Sequence, residues 1–451
     1  MRKRISAFFS VLAAIVLLTV PASAASSGST LKIICADAGQ VIFTPPGSTQ
    51  YAYRYGPAIL IDGDRIDIWA SAPPLVSNGV RYGNDSIEYI RSTDGGKTWT
   101  EWKTVLYPTL NSEDQWSTCD PGAFKYGDYY YVGYTGSPEF RTNPDKEKQV
   151  NNLFIARAKN PEGPYEKWNG NGWGGDPYAI TRYSGDGVGC SMPSFTVKGD
   201  TLYMYYVDQT HPDQDWNSEG NISVSTFSLK DPNWPGNELS NKMCENKPEE
   251  VRYCPDIDKF IGFQLKGGWD YDSYVEIYES TDGVNFTKTS SFRNNFPHYA
   301  HNIGISGNNL GQLDLSIQNY IGTAYTPTGV EAWWGHWHTQ LIPLYIREEQ
   351  PSSTTPSQPS GSTDSSSRKP TTSSVESTDG KSSETEVSEP QNSNIESTVS
   401  DDKDKDKEVN NKTEQQEETS YLWLYIVIGA VVVLAGAGTA VYFLVIKKKH
   451  V

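Results

Sequence analysis

One short unit recurs along this chain, and its recurrence limits the fold more than any other feature. It is clearest at Cys119-Asp120-Pro121-Gly122-Ala123-Phe124, which runs into Lys125-Tyr126-Gly127-Asp128-Tyr129-Tyr130-Tyr131-Val132-Gly133-Tyr134. The alternation around Gly127-Asp128 predicts a strand, a tight turn and a second strand rich in aromatics. The first strand recurs with its proline at Tyr55-Gly56-Pro57-Ala58, Met192-Pro193-Ser194 and Cys254-Pro255-Asp256. Ala300-His301-Asn302-Ile303 is a fifth copy without one. A third strand leads to a turn of its own, Ser92-Thr93-Asp94-Gly95-Gly96-Lys97-Thr98-Trp99, repeated in shorter form from Ser280 to Phe286. Lys159 to Tyr165 holds the corresponding place in the second unit. Successive prolines are 64, 72 and 62 residues apart, and His301 follows Pro255 by 46. Four short strands per unit at this spacing predict an all-β chain, a five-bladed β-propeller over residues 30–347. The segment from Lys32 to Thr44 is expected to supply the strand that closes the ring.

The ends of the chain read differently. Arg2-Lys3-Arg4, the apolar run Ile5 to Val20 and Ala22-Ser23-Ala24 form a secretory signal over residues 1–24. Residues 348–420 are rich in Ser, Thr, Pro and acidic residues and have too few apolar groups to offset ordering entropy, which predicts a disordered linker. Residues 421–446 form an uncharged apolar run long enough for one C-terminal transmembrane helix. Lys447-Lys448-Lys449 places the basic tail, 447–451, on the cytoplasmic side. The expected topology is a single-pass protein of a bacterial, Gram-positive-type cell membrane, with its propeller outside and monomeric. The formal net charge of −17 argues against nucleic acid as a partner. Five cysteines leave at least one unpaired; a bridge between Cys244 and Cys254 and free buried thiols are both open.

Ser92-x-Asp94-x-Gly96-x-Thr98-Trp99 resembles the Asp-box turn of sialidases and related propellers. The inner-strand motifs, with Ile155-Ala156-Arg157-Ala158 and Glu162-Gly163-Pro164-Tyr165-Glu166-Lys167-Trp168, resemble the five-bladed glycoside hydrolases of family 43 and the invertase-like superfamily. The resemblance spans about residues 50–345. It implies hydrolysis of O-glycosyl bonds in an oligo- or polysaccharide, in a pocket on the propeller axis, by two carboxylates. No cofactor is required; a structural Ca2+ or other ion at the axis is expected to involve His301.

Inner-strand starts surround the axis of a propeller, so acids there are the catalytic candidates. Asp120 lies directly before its proline. Asp256 follows its proline, Asp186 lies just before the third inner strand, and Glu250 precedes the fourth unit's proline. Arg54 and Arg252 stand at similar places and would suit a carboxylate-bearing sugar, the sialidase-like alternative. Tyr55, Trp116, Tyr253 and Trp269 are candidate walls for stacking on sugar rings. Asp94 and Asp282 are expected to cap turns away from the pocket. The first and third units have no acid before their proline, which leaves open a non-catalytic glycan-binding or adhesion propeller. A scaffold or sensor with no sugar role is a weaker alternative.

Overall fold

The structure is a computed structural model that describes residues 28–47, 52–138, 140–143, 146–182, 188–210, 220–328, 330 and 335–350. The predicted signal, transmembrane helix and basic tail, and the linker beyond residue 350, lie outside the described residues; Glu348 and Glu349, expected in the linker, instead end the strand His338–Glu349, paired with Leu31 and Thr30. No helix among the described residues is long and apolar enough to cross a membrane.

Five antiparallel blades organise the described residues, the first and fifth joined in one nine-stranded sheet, with two small hairpins beside them. The inner strands of the blades are Tyr55–Asp62, Ser117–Tyr126, Gly189–Lys198, Glu250–Cys254 and Ala300–Gly307. Each of the first four heads a meander of four neighbouring strands; in the first blade the third strand, Ser86–Ser92, follows a small hairpin, Leu75–Tyr82. Neighbouring inner strands lie side by side around a ring, and the fifth pairs in parallel with the first at Ser306–Ile59 and Gly307–Leu60. The fifth blade is completed from the N-terminal end of the chain. Thr30–Cys35 pairs antiparallel with His338–Glu349, and Gln40–Phe43 pairs with the same long strand. The expected closing segment therefore does its work through two strands.

The core lies between the blades. Trp69, Tyr134 and Phe154 are buried between the first and second blades, and Phe124 and Phe195 between the second and third. Tyr205 and Phe260 pack between the third and fourth, and Phe263, Ile305 and Ile321 between the fourth and fifth. Burying each such side chain contributes about 1.5–3 kcal/mol. Neighbouring inner strands pack closely against one another. A Cβ at Gly122 would lie 2.0 Å from the Pro193 carbonyl oxygen, and one at Gly304 would lie 1.6 Å from that of Pro57.

The inner strands begin at one end of the ring, the mouth, and end in hairpins at the other. A loop, 308–319, runs across the hairpin end. Its Asn309 carbonyl accepts from Lys125 N (2.5 Å), Leu310 O from Val197 N (3.0 Å), and Leu313 N donates to Tyr253 O (2.9 Å). Asn309 Nδ2 also donates to Asp62 Oδ2 (3.1 Å). The loop is thereby tied to all four other inner strands, which leaves the mouth as the approach to the axis.

Candidate active site

Four inner strands open with the same irregularity. The register slips between Tyr55 and Ala58, between Cys119 and Gly122, between Ser191 and Ser194, and between His301 and Ile303. In each slip one residue adopts left-handed backbone: Gly56 (φ 56°), Asp120 (48°), Met192 (57°) and Asn302 (58°). Such a bulge re-aims a side chain out of the ladder, and here the four residues meet at the axis. A Cβ on Gly56 would be 3.6 Å from Asp120 Oδ1. Asn302 Nδ2 lies 3.5 Å from Met192 Sδ, across from the fifth blade to the third. Two of the bulges are held by the blade before them: Asp120 N donates to Ser71 Oγ (2.7 Å) and Met192 N to Thr135 Oγ1 (2.9 Å).

Asp120 is the one acid among these axial positions. Burial pushes its carboxyl up from 3.8 to about 6; hydrogen bonds from Thr135 and Cys119 oppose the shift, and Asp85 adds to it. Asp85 is a fully buried carboxylate behind the pocket wall. It accepts from Tyr53 Oη (2.5 Å), Ser117 Oγ (2.9 Å) and Asn84 Nδ2 (3.2 Å). Ser117 and Cys119 together link the two acids: Cys119 Sγ lies 3.4 Å from Ser117 Oγ and donates to Asp120 Oδ2 at 3.5 Å. Burial drives the Cys119 thiol well above its usual pKa, so it is a donor here and not a nucleophile.

One side of the mouth is aromatic. The His301 ring lies 4.3 Å from Trp337 and 4.3 Å from Trp269, and Tyr55 is 5.4 Å away. Trp269 is 36% exposed, whereas Trp337 is fully buried behind it. Burial lowers the His301 pKa to about 3, so its imidazole is neutral. Its stacking neighbours are the aromatic rings of Trp337, Trp269 and Tyr55. Among the described residues no group of three His, Cys, Asp or Glu side chains is placed to hold a metal ion.

Trp269 is thus partly open at the mouth, whereas Tyr55, a candidate wall in the sequence, is only 4% exposed and packs in the core with Trp337 and Cys119. Trp116 is at the same end, its N donating to Ser137 O (2.9 Å) just before the second inner strand. Asp186 lies outside the described residues. The other candidates are placed elsewhere. Cys254-Pro255-Asp256 is not an inner-strand start: residues 255–258 form the hairpin turn of the fourth blade, and Asp256 Oδ2 accepts from Leu315 N (3.1 Å) at the closed end. Counting back from the hairpins, Glu250 holds the register of Ala58, Gly122 and Ser194, which puts Pro248 where Asp120 stands in its own blade. Glu250 is buried between strands. Its Oε2 is 2.8 Å from Arg252 Nη2 and 3.2 Å from Ser194 Oγ. Arg252 is spent on the same inter-blade clamp, donating through Nε to Ile305 O (3.0 Å) and through Nη1 to Ser194 Oγ (2.7 Å). Tyr253 belongs to the hairpin end, where its Oη donates to Asp258 Oδ1 (2.7 Å) and Lys198 lies over its ring. Arg54 faces away from the axis. Its Nη2 is 2.6 Å from Glu88 Oε2, and its guanidinium lies 4.6 Å from the Phe43 ring. The two arginines therefore form no carboxylate clamp.

Asp94 caps its turn as expected, accepting from Lys97 N (3.1 Å) and Thr98 N (2.9 Å), and Asp282 repeats the arrangement with Val284 N and Asn285 N. All five cysteines are free and buried, so Cys244 and Cys254 are not bridged. Asn302 and Met192 escaped the sequence reading; both occupy the position directly before the motif's proline or its substitute, the signal that singled out Asp120.

No protein-family model matches this chain, and no curated protein does. In structure it is similar to glycoside hydrolases of families 62, 117 and 43. The catalytic domain of the Coprinopsis cinerea GH62 alpha-L-arabinofuranosidase is 12% identical, with a TM-score of 0.48 over 70% of this chain and 98% of that one. A family 117 glycoside hydrolase produced by the marine bacterium Zobellia galactanivorans is 15% identical, with a TM-score of 0.45 over 72% and 92%. An alpha-L-arabinofuranosidase from Clostridium thermocellum ATCC 27405 is 14% identical, with a TM-score of 0.42 over 66% and 95%. At this level of likeness none of them assigns a reaction, a substrate or a residue's role to this chain.

Proposed function

We propose that this protein hydrolyses O-glycosyl bonds of an oligo- or polysaccharide in the axial pocket, with Asp120 as the acid. The observation that carries the reading is the state of Asp120. It is aimed at the axis by a strained bulge, and burial holds its carboxyl near pKa 6. A carboxyl in that range is protonated often enough near neutral pH to donate to a departing glycosidic oxygen. Trp269 and Trp116 supply faces for the apolar side of a sugar ring. We assign the second carboxylate, which activates water, to Asp186, which precedes the third inner strand in the sequence. The apolar run 421–446 would hold the propeller outside the cell membrane at the end of the linker.

One observation favours a second reading, glycan binding without cleavage. Among the described residues the other axial positions are Gly56, Met192, Pro248 and Asn302, and none of these is an acid. The test is turnover of aryl glycosides and plant and bacterial polysaccharides by the purified chain beside Asp120→Asn. Turnover that disappears in the variant supports hydrolysis. Equal binding by both proteins without turnover establishes the second reading in its place.

A further inference from the structure

Beyond the axial pocket the aromatic wall continues outward over the fourth and fifth blades. Trp269 belongs to the loop 267–273, and Tyr271, two residues on, is 51% exposed. Tyr271 stacks on His298 with centroids 3.8 Å apart and meets Tyr299 edge-on at 5.8 Å. Exposed aromatics on a loop are common, and exposure alone would mean little. The backbone supplies a second, independent observation. Trp269 (φ 72°) and Tyr299 (φ 52°) are both in the left-handed region, which bulky side chains seldom adopt. Two loops hold them there by reciprocal hydrogen bonds: Trp269 N donates to Ala300 O (3.0 Å) and Tyr299 N to Asp270 O (2.9 Å). Ser273 Oγ locks the same turn, donating to the Gly267 and Asp270 carbonyls and accepting from Ala300 N. The backbone that carries Trp269 and Tyr299 is thus fixed before any ligand arrives, and the Tyr271 ring is held by its stack on His298, so stacking here costs less further ordering than on a mobile loop.

The charges beside these rings discriminate among ligands. Asp270 and Asp272 are exposed on the same loop. Arg293, the cation beside Tyr271, is taken up by the Phe296 and Tyr271 carbonyls and by His298. Arg54 and Arg252 are bound to Glu88 and Glu250 away from the mouth. An anionic sugar would meet carboxylates here, whereas neutral hydroxyls would find acceptors.

Resting on the hydrolase reading above, the geometry points to a neutral oligosaccharide of at least two sugar units as the ligand, laid from Asp120 across Trp269 to the Tyr271–Tyr299 rim. Tyr271 and Tyr299 hold the outer sugar and set the minimum length. The measurement is titration calorimetry of the full chain with xylo-, arabino- and cello-oligosaccharides of one to six units, and with oligogalacturonides as the acidic series. One neutral series should gain about tenfold in affinity between one unit and three. Tyr271→Ala should remove that gain while leaving the monosaccharide Kd within about twofold, and Tyr271→Phe should retain it. Affinity independent of length, a length gain that survives Tyr271→Ala, or tighter binding of the oligogalacturonides would each overturn the inference. Turnover combined with length-independent affinity would overturn it and leave the hydrolase reading standing. Failure of the wild-type chain to bind or cleave any series would overturn both.

Discussion

Replacing Asp120 by Asn separates a catalytic acid from a turn-forming one, because the two roles predict opposite effects on stability. Asn keeps the size of the side chain and tolerates left-handed backbone as well as Asp does. Folding lifts this carboxyl from 3.8 to about 6. The folded chain therefore holds the proton more tightly than the unfolded one. Stability linked to the neutral acid is complete below about pH 4 and is lost as pH rises past about 6. A shift of that size corresponds to at most about 3 kcal/mol above pH 7, at 1.36 kcal/mol per unit. The amide of the variant carries no such cost, since it never ionises.

The expected result is a variant that melts about 4 °C above wild type at pH 8 and level with it at pH 4, taking about 2 °C per kcal/mol for a chain of this size and allowing for weaker bonds to Thr135 and Cys119. Thermal melts from pH 4 to 8, followed by near-ultraviolet circular dichroism, give the curve. Turnover should vanish in the same protein. A site that trades stability for function behaves in this way. If Asp120→Asn melts below wild type by the same margin at every pH, the carboxylate is an ionised turn former and the acid role is refuted.

Three other outcomes follow from the ring. Glu250→Gln leaves Arg252 charged and buried without its partner, and should lower stability by about 3–5 kcal/mol, whereas Glu250→Leu with Arg252→Met should recover much of the loss in urea titrations. Gly304→Ala drives a methyl into the Pro57 carbonyl, and should cost more than about 3 kcal/mol or abolish soluble expression, since backbone on both sides must move. Burial pushes the thiols of Cys35, Cys190, Cys244 and Cys254 up to about 12; a thiol reagent at pH 8 should label none of the five until denaturant is added, and labelling of Cys119 in the native chain would show an open path to the wall behind Asp120.

Much of the ring was legible because a repeat announces itself through spacing, and the closing strands were legible from their position before the first unit. The fourth blade was misread for a physical reason. Proline suits the beginning of an inner strand and a hairpin turn alike, so Cys254-Pro255-Asp256 mimicked the motif while Pro248 and Glu249 held the places of Asp120 and Pro121. The parity of the arginines was hidden as well. In a regular strand Arg54 and Tyr55 face opposite ways, but a bulge at the next residue decides which of them sees the axis, and bulges leave little trace in composition. Long-range partners such as Glu88 for Arg54, or Ile305 for Arg252, depend on blade packing that no local pattern encodes. The rim ring Tyr299 was silent because nothing in a sequence reports left-handed backbone at a non-glycine residue.

The bulge also explains why a single acid stands out at this axis. Left-handed backbone is least costly for Gly and tolerable for Asn and Asp, and three of the four bulges hold Gly56, Asp120 and Asn302. Met192 is the exception, a bulky residue accepted at a position where its thioether reaches across to Asn302. With neutral groups at the other three bulges, no second carboxylate among them repels Asp120, and desolvation is the main force keeping it protonated. Desolvation depends on what fills the mouth, not on a fixed neighbour. A sugar that displaces water from the mouth would raise the Asp120 pKa further, so the acid is best poised for proton donation when substrate is in place. The alkaline limb of the pH profile should therefore lie higher for kcat, which reports the substrate-saturated enzyme, than for kcat/KM, which reports the free one. An alkaline limb at the same pH in both profiles would show that Asp120 is already dry in the free protein, and that the bulge alone sets its acidity.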